Sequence, residues 1–192
     1  MRRFGFGKPT GVDLPGEEAG LVLDRKEYSG STMGNMPIGQ GLSVTPIQMG
    51  AAYSAIANGG ILRPPHIVAS VGGRKHPRAK GRRVISLQTA AALRRMLEGV
   101  LGPGGTASGA KIEGYVAAGK TGTAEKADEY GGYSKTKFVS SFVGFAPAHA
   151  PKLLIAVMVD EPKGDIYGGT VAAPAFKEIA DFALTYLRIA PK

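Results

Sequence analysis

Cysteine is absent from the 192-residue sequence, which excludes disulfides, zinc–thiolate sites and cysteine nucleophiles. Long apolar runs are also absent: the longest, residues 153–159, is far shorter than the ~20 residues of a membrane helix. The N-terminus has two arginines but no apolar stretch behind them, so it does not have the pattern of a signal peptide. If the protein works outside the cytoplasm, we expect its export signal to lie outside this sequence.

Acidic residues are few: 15 of them against 24 lysines and arginines give a formal net charge of +9. Such a charge favours an anionic partner, for example a membrane surface, a cell-wall polymer or nucleic acid. Much of the excess lies in RKHPRAKGRR, residues 74–83, and the simplest interpretation of this segment is a solvated basic loop. It has no aromatic residue to stack on bases and no recognition motif accompanies it, so no nucleic-acid partner is predicted.

The apolar pattern predicts an α+β chain with the order helix, helix, three strands, helix. In the first helix Thr45 is the N-cap, Pro46 the first helical residue and Gln48 the last residue of a capping box. The second helix is predicted to start at Ser86 and the last to cover residues 173–188. Short connections favour antiparallel pairing of neighbouring strands. The predicted strands are residues 115–124, 138–145 and 153–159.

The segment GYVAAGKTGTAEK, residues 114–126, fits two different motifs. As G-x-x-x-x-G-K-T it matches the phosphate-binding P-loop, and as K-T-G-T it matches the active-site strand of the penicillin-recognising serine enzymes. A P-loop needs a buried strand before the first glycine and a helix that begins at the Lys-Thr. Here the strand formers Tyr115 and Val116 lie inside the supposed loop, and no helical pattern follows it. We therefore favour a strand.

An edge strand carrying residues 120–123 has the groups that an acyl-transfer site needs. Lys120 would supply positive potential for a carboxylate or for a proton relay. Gly122 has no side chain, so a substrate backbone can approach, and an open strand edge can bind an extended peptide by strand addition. The backbone N–H of Thr123 would donate to a developing oxyanion, and a donor of that kind contributes ~3 kcal/mol to lowering the barrier.

The chain resembles the C-terminal part of class B penicillin-binding proteins, and the septal peptidoglycan D,D-transpeptidases most of all. The resemblance rests on four blocks in the right order: MPIGQGLSVTPIQMGAAYSAIANGG, AAGKTGTAEK, FVSSFVGFAPAHAPKLLIAVMVDEP and YGGTVAAPAFKEIA. It implies a part of the β-lactamase/transpeptidase-like fold, an antiparallel sheet packed with helices. Residues 1–192 would be the C-terminal portion of a transpeptidase domain, without its nucleophile helix.

The resemblance also implies a reaction. The family acylates a serine with a D-Ala-D-Ala stem peptide, releases the last D-Ala and passes the acyl group to an amine; penicillins trap the acyl-enzyme. The implied catalytic residues are Lys120, Thr121, Gly122 and Thr123, and Thr121, Thr123 and Tyr167 would bind substrate, although Tyr167 can also be interpreted as part of a turn. Expected partners are stem peptides, β-lactams and cell-division or cell-wall synthesis proteins, at the extracytoplasmic face of the bacterial membrane. No cofactor and no metal are expected.

The sequence departs from the family in its other motifs. The family also has an S-x-x-K nucleophile and an S-x-N motif, but S-x-N does not occur here. The two S-x-x-K matches, SGAK from Ser108 and SKTK from Ser134, are interpreted as chance, one in a glycine-rich linker and the other in a polar turn. We therefore expect the isolated chain to be inactive and, with residues 153–159 at an open sheet edge, marginal in stability. The alternative is a non-catalytic binding module of the same fold.

Overall fold

The computed structural model describes residues 1–30, 32–77 and 79–191. The chain divides into two compact units, Met1–Ala90 and Ala91–Lys192, here called the first and the second unit. Helix α3 (Leu87–Glu98) begins in the first and ends in the second. In the described part of the chain, none of the helices has both the length and the apolar composition that crossing a bilayer requires.

The first unit is built from short elements joined by turns. Its described strands are each two residues long and pair antiparallel, as β1 with β2, β3 with β6 and β4 with β5. The elements are β1 (Leu21–Val22), α1 (Thr32–Asn35), β2 (Leu42–Ser43), α2 (Pro46–Ala57), β3 (Ile61–Leu62), β4 (Ser70–Val71), β5 (Arg74–Lys75) and β6 (Arg82–Arg83), with 3-10 turns at Arg2–Phe4, Arg25–Glu27 and Met36–Ile38.

Helix α2 begins where its capping residues predict. The N–H of Gln48 donates to Thr45 Oγ1 at 3.2 Å, and the N–H of Thr45 donates to Gln48 Oε1 at 3.0 Å. These two hydrogen bonds close the predicted capping box, and Pro46 is the first helical residue. After the helix, Gly59 has a φ of 85°, a left-handed conformation that glycine adopts without strain.

The second unit contains a three-stranded antiparallel sheet in the order β7–β8–β9, with helix α4 packed on it. The α+β class and the antiparallel order of the three strands are therefore confirmed. The elements are a 3-10 turn at Ser108–Ala110, β7 (Ala118–Ala127), β8 (Tyr133–Ala146), β9 (Leu153–Asp160) and α4 (Gly168–Tyr186).

The strand boundaries differ from the prediction by one to five residues, except for the start of β9, which agrees. Strand β8 begins at Tyr133 rather than at residue 138, because pairing with β7 continues past a bulge to the Tyr133–Ala127 pair. The prediction that Ser134 lies in a polar turn is consequently wrong, since Ser134 is a buried residue of β8. Strand β7 begins at Ala118, because the carbonyl of Val116 accepts from the N–H of Ala148, outside the ladder, at 2.7 Å.

Helix α4 begins at Gly168, five residues before the predicted start. The pair Gly168-Gly169 has the sequence pattern of a turn. In the structure, the absence of a side chain at Gly168 instead allows the helix to pack closely on the sheet. A Cβ at Gly168 would lie 2.3 Å from the carbonyl oxygen of Ser141 and 2.4 Å from that of Gly122. The first turn of the helix therefore lies directly on the backbone of β7 and β8, and only glycine fits there.

The apolar core of the second unit lies between α4 and the sheet. Phe142 of β8 and Phe176 of α4 are fully buried, and their ring centroids are 4.6 Å apart. Gly144 makes room for this pair, because a Cβ there would lie 2.8 Å from both rings. Ala180 and Leu184 continue the buried side of α4 with no exposed surface.

Candidate active site

Residues 120–123 lie in the middle of β7, which has a strand neighbour, β8, on one side only within the described chain. The prediction of extended chain on a sheet edge is confirmed. The P-loop alternative is wrong, because it requires a helix to begin at Lys120 and Thr121, and these two residues pair with Val143 and Phe142 of β8 instead.

The hydroxyls of Thr121 and Thr123 lie on the same face of β7, as strand alternation predicts. Thr121 Oγ1 is 3.0 Å from Thr106 Oγ1, and Thr123 Oγ1 accepts a hydrogen bond of 3.1 Å from the N–H of Gly168. Gly169, the next residue of α4, would place a Cβ 3.6 Å from Thr121 Cγ2. The start of α4 thus lies beside both threonines and fixes the side-chain orientation of Thr123.

The Lys120 ammonium lies along the open edge of β7. Lys120 is exposed, and its Nζ donates to the carbonyl oxygen of Thr121 at 3.0 Å and to Thr121 Oγ1 at 3.3 Å. No carboxylate of the described chain pairs with Lys120, whose charge is therefore available to an anionic group at this edge.

The contact with Lys120 also indicates which backbone groups point outward. A carbonyl that accepts from a side chain at the strand edge points away from the neighbouring strand. In an antiparallel strand the N–H and C=O of one residue point to the same side, and every second residue repeats that direction. We infer that Thr121 and Thr123 present both backbone groups to the open edge, while Gly122 faces its partner Ser141.

Gly122 has a structural role that the sequence did not indicate. A Cβ at this position would lie 2.5 Å from Ser141 Oγ, on the residue directly opposite in β8. The absence of a side chain therefore accommodates Ser141 on the face away from the threonines, in addition to leaving the strand accessible. Any larger residue at position 122 would displace Ser141 or bend β7.

Tyr167 immediately precedes α4 and is 64% exposed. Its N–H donates to Asp165 Oδ1 at 3.0 Å, and its carbonyl accepts from Thr170 Oγ1 at 3.0 Å. The hydrogen bond from the Tyr167 N–H stabilises the ionised carboxyl and holds the pKa of Asp165 below its ordinary value. The backbone of Tyr167 is thus fixed next to Gly168, while its ring is free to contact a ligand.

The structure separates the two S-x-x-K serines from this edge. Ser134 is six residues along β8 from Ser140, which pairs with Thr123, a separation of about 20 Å at the rise of a strand. Its Oγ accepts from the N–H groups of Thr136 and Lys137. Ser108 lies in an exposed 3-10 turn. Neither environment provides a general base, so both remain poor candidates for a nucleophile.

Three site residues were missed by sequence reasoning. Thr106 contacts Thr121 from 15 positions away, and nothing in the sequence signals that contact. Asp165 and Gly168 shape the start of α4, and only the glycine left a sequence signal, which resembles that of a turn.

Comparison with known proteins gives consistent matches. The family model for the penicillin binding protein transpeptidase domain matches residues 1–181. Penicillin-binding protein PbpB of Mycolicibacterium smegmatis is 42% identical, over 96% of this chain and 31% of that protein. Peptidoglycan D,D-transpeptidase FtsI of Buchnera aphidicola is 36% identical, over 98% of this chain and 32% of that protein. The chain spans about a third of the length of these curated relatives.

A solved structure gives the same result. The crystal structure of penicillin binding protein 3 from Mycobacterium tuberculosis, complexed with ampicillin, has a TM-score of 0.90 to this chain at 40% identity. The match covers all of this chain and 46% of that one. The fold of the chain is therefore that of the corresponding part of a transpeptidase domain.

Proposed function

The chain belongs to the penicillin-binding protein transpeptidase family, class B, and from this premise we propose that it forms the Lys-Thr-Gly side of a peptidoglycan D,D-transpeptidase active site. Residues 1–192 would be the C-terminal portion of the transpeptidase domain. The observation that carries the proposal is the open edge of β7, where Lys120 and the outward-facing groups of Thr121 and Thr123 lie side by side.

Each of these groups has a part in acyl transfer. A serine, which we place outside this chain, attacks the penultimate D-Ala carbonyl and the terminal D-Ala leaves as its amine; a second amine then attacks the ester and releases the serine. The Thr123 N–H would stabilise the oxyanion formed in both steps. The Lys120 ammonium and the Thr121 hydroxyl would bind the terminal carboxylate of the substrate, with Tyr167 beside it.

The open edge of β7 also suits the shape of the substrate. A stem peptide is an extended chain, and it can add to β7 as a further strand through the backbone groups of Thr121 and Thr123. Binding of β-lactams at the same groups follows, since they mimic the dipeptide. A role in cell-wall synthesis is part of the same proposal and is supported by the name peptidoglycan D,D-transpeptidase of one relative. Septation and the extracytoplasmic face of the membrane are further parts of the proposal, which rest on the family resemblance.

The proposal includes catalytic inactivity of the isolated chain. Incubation of the 192-residue chain with benzylpenicillin should leave its intact mass unchanged, because neither Ser108 nor Ser134 has a general base beside it. A mass increase equal to one penicillin, mapped to either serine, would contradict this part.

Reversible binding tests the site itself. Titration with a peptide ending in D-Ala-D-Ala should shift the backbone NMR signals of Thr121 and Thr123 more than those of Ile155 in β9. The Thr123→Pro variant removes the N–H and should abolish these shifts, whereas Thr136→Val, an exposed change on β8, should not. Equal shifts on β7 and β9, or none up to ~10 mM peptide, would refute the proposed site, since even a weak ligand at 1 mM affinity would then be bound.

A further inference from the structure

The first unit contains a cavity of about 630 Å³ that the transpeptidase proposal does not use. Basic side chains line it, and none of the described lining residues is acidic. They come from three separate segments of the first unit, so that the charge is concentrated by folding and not by one run of sequence. The basic residues are Arg2, Arg3, Lys8, Arg63, Lys80 and Arg82.

Within the described residues, two of these six cations have a partner. Arg2 forms an ion pair with Asp24, and Arg63 Nη1 donates to the carbonyl of Ala79 at 3.3 Å. The remaining four, at positions 3, 8, 80 and 82, form no ion pair or side-chain hydrogen bond with any described residue. Positive charges gathered around one concave surface reinforce each other's potential and raise the local concentration of anions.

The cavity is held open by ordered structure. Gln48, 1% exposed, donates from Nε2 to the carbonyls of Lys8 and Ala19, both at 2.8 Å, and this fixes the Lys8 segment on α2. Arg82 lies in β6 directly opposite Leu62 of β3, which also lines the cavity. A ligand would therefore find the site already formed and would not have to order these segments.

Part of the cavity wall is apolar. Phe4, Leu62 and Pro64 line it together with the basic residues. A volume of 630 Å³ lies in the range of small-molecule sites, and most such sites combine apolar walls with a few polar groups. Arginine binds phosphate oxygens in a bidentate manner, and lysine adds point charges, so the lining suits a group with several negative charges in a small volume.

We propose that this cavity binds a small organic ligand that carries a phosphate or pyrophosphate group. The anionic group lies among Arg3, Lys8, Lys80 and Arg82, and its organic part lies against Phe4 and Leu62. None of the described residues that line it belongs to β7, and the inference does not depend on the transpeptidase proposal. The phosphate can belong to a soluble molecule or to a lipid headgroup, and two probes distinguish these sources.

Inorganic pyrophosphate is the first probe. We expect it to bind the 192-residue chain at ~150 mM NaCl in isothermal titration calorimetry, with one site per chain. The double variant Lys8→Gln/Arg82→Gln should weaken binding at least ~10-fold, because it removes two unpaired cations that come from different segments of the cavity lining. The matched control, Arg74→Gln/Lys75→Gln, removes the same charge from the exposed β4–β5 hairpin outside the cavity and should change the affinity less than ~2-fold.

Vesicles are the second probe. Vesicles of phosphatidylglycerol, compared with vesicles of phosphatidylcholine, test the lipid source in the same three proteins, the wild type and the two double variants. Binding to either probe that is lost in the cavity variant and kept in the control supports the proposal and identifies the source. Equal losses of probe binding in the two double variants would show that diffuse positive charge is responsible, and this would overturn the proposal. Absence of binding to both probes would also overturn it. Equally tight binding of citrate overturns the assignment to phosphate. Unchanged circular dichroism of the variants confirms that they fold.

Discussion

The two units of the chain are stabilised in different ways. The second unit buries large apolar side chains, among them Phe142, Phe176 and Leu184, between a long helix and a sheet of 8- to 14-residue strands. The first unit has two-residue strands, and the largest side chain that it buries fully is polar, Gln48. Its segments are joined by hydrogen bonds between single polar side chains and distant backbone groups, such as those that the N–H groups of Ile67 and Val68 donate to the Asp13 carboxylate.

The units also differ in charge. The first has 12 lysines and arginines against five acidic residues, and the second has 12 against ten, so +7 of the net +9 belongs to the first unit. The difference teaches that one family fold can combine an apolar scaffold, which positions strand β7, with a polar, strongly basic region that depends on few contacts. The effects of substitutions on the free energy of unfolding should therefore differ in size between the two units. Their response to pH and salt should differ as well.

The largest effect is expected in the apolar core of the second unit. Phe176→Ala removes a fully buried ring packed at 4.6 Å from Phe142 and should lower the free energy of unfolding by about 3–5 kcal/mol. Phe182→Ala on the same helix is the control, because Phe182 is 70% exposed, and it should cost less than about 1 kcal/mol. Urea unfolding measures both. Similar losses in the free energy of unfolding for Phe176→Ala and Phe182→Ala would contradict the claim that the second unit is stabilised by its apolar core.

A smaller effect is expected from the buried amide of the first unit. Gln48→Ala leaves the carbonyls of Lys8 and Ala19 without their donor, which should cost about 2 kcal/mol. Gln88→Ala, an exposed change on α3, should be close to neutral. Hydrogen exchange resolves the effect by region: protection should fall in the first unit and stay unchanged in β8. A uniform fall along the chain would show that the two units unfold as one.

Loss of the α2 cap should cost less. Thr45→Ala removes the acceptor for the Gln48 N–H and should lower the free energy of unfolding by about 1 kcal/mol. Thr45 and Gln48 share one capping box, so the double variant should cost less than the sum of the single variants. Additive losses in the double-mutant cycle would argue against a coupled box.

The smallest effect concerns two carboxyls with lowered pKa values. Hydrogen bonds from the backbone N–H groups of Ile67 and Val68 lower the pKa of Asp13, and the hydrogen bond and charge of Lys126 lower that of Glu161. Each group is more acidic when folded, so its stabilisation is complete above its ordinary value, 3.8 or 4.5, and is lost as the pH falls through the folded value. Both contributions should therefore diminish as the pH falls below these ordinary values and disappear below the folded pKa values.

Salt separates these two carboxyls. Raising NaCl from ~50 to ~500 mM should move the pKa of Glu161 back toward its ordinary value, since an ion pair that is partly open to solvent is screened. The pKa of Asp13, lowered by backbone hydrogen bonds at 2.7 and 2.9 Å, should change less. Carbon-detected NMR titration of the side chains measures both values. A larger salt response at Asp13 would contradict the assigned causes.

Much of the second unit was predictable from sequence, because its periodic segments are long. The strand character of residues 120–123 followed from Tyr115 and Val116 and from the lack of a helical pattern behind them. The start of α4 was not predictable, since the reason for Gly168 is a contact with Ser141 and Gly122, which are distant in sequence. The catalytic and substrate-binding roles of Lys120, Thr121, Gly122, Thr123 and Tyr167 stay predictions.

The first unit was harder to predict, for a physical reason. Two-residue strands carry no periodicity, and contacts such as that between Thr10 and Glu17 are made by single side chains. The capping box of α2 was the exception, because its signal is local. The cationic cavity could not be seen in the sequence either, since only folding brings Arg3 and Lys8 to Arg82.

The contact of Gly168 with the backbone of Gly122 and Ser141 has a mechanical consequence. An edge strand without further support can shift along its sheet or separate from it when a peptide binds. Strand β7 is held in place, because the first turn of a nineteen-residue helix packs on its backbone. This packing keeps β7 rigid at the residues where a bound peptide would add to the sheet. Even alanine at position 168 would weaken this packing. The open edge of β7 would then lose its alignment, although none of its own atoms had changed.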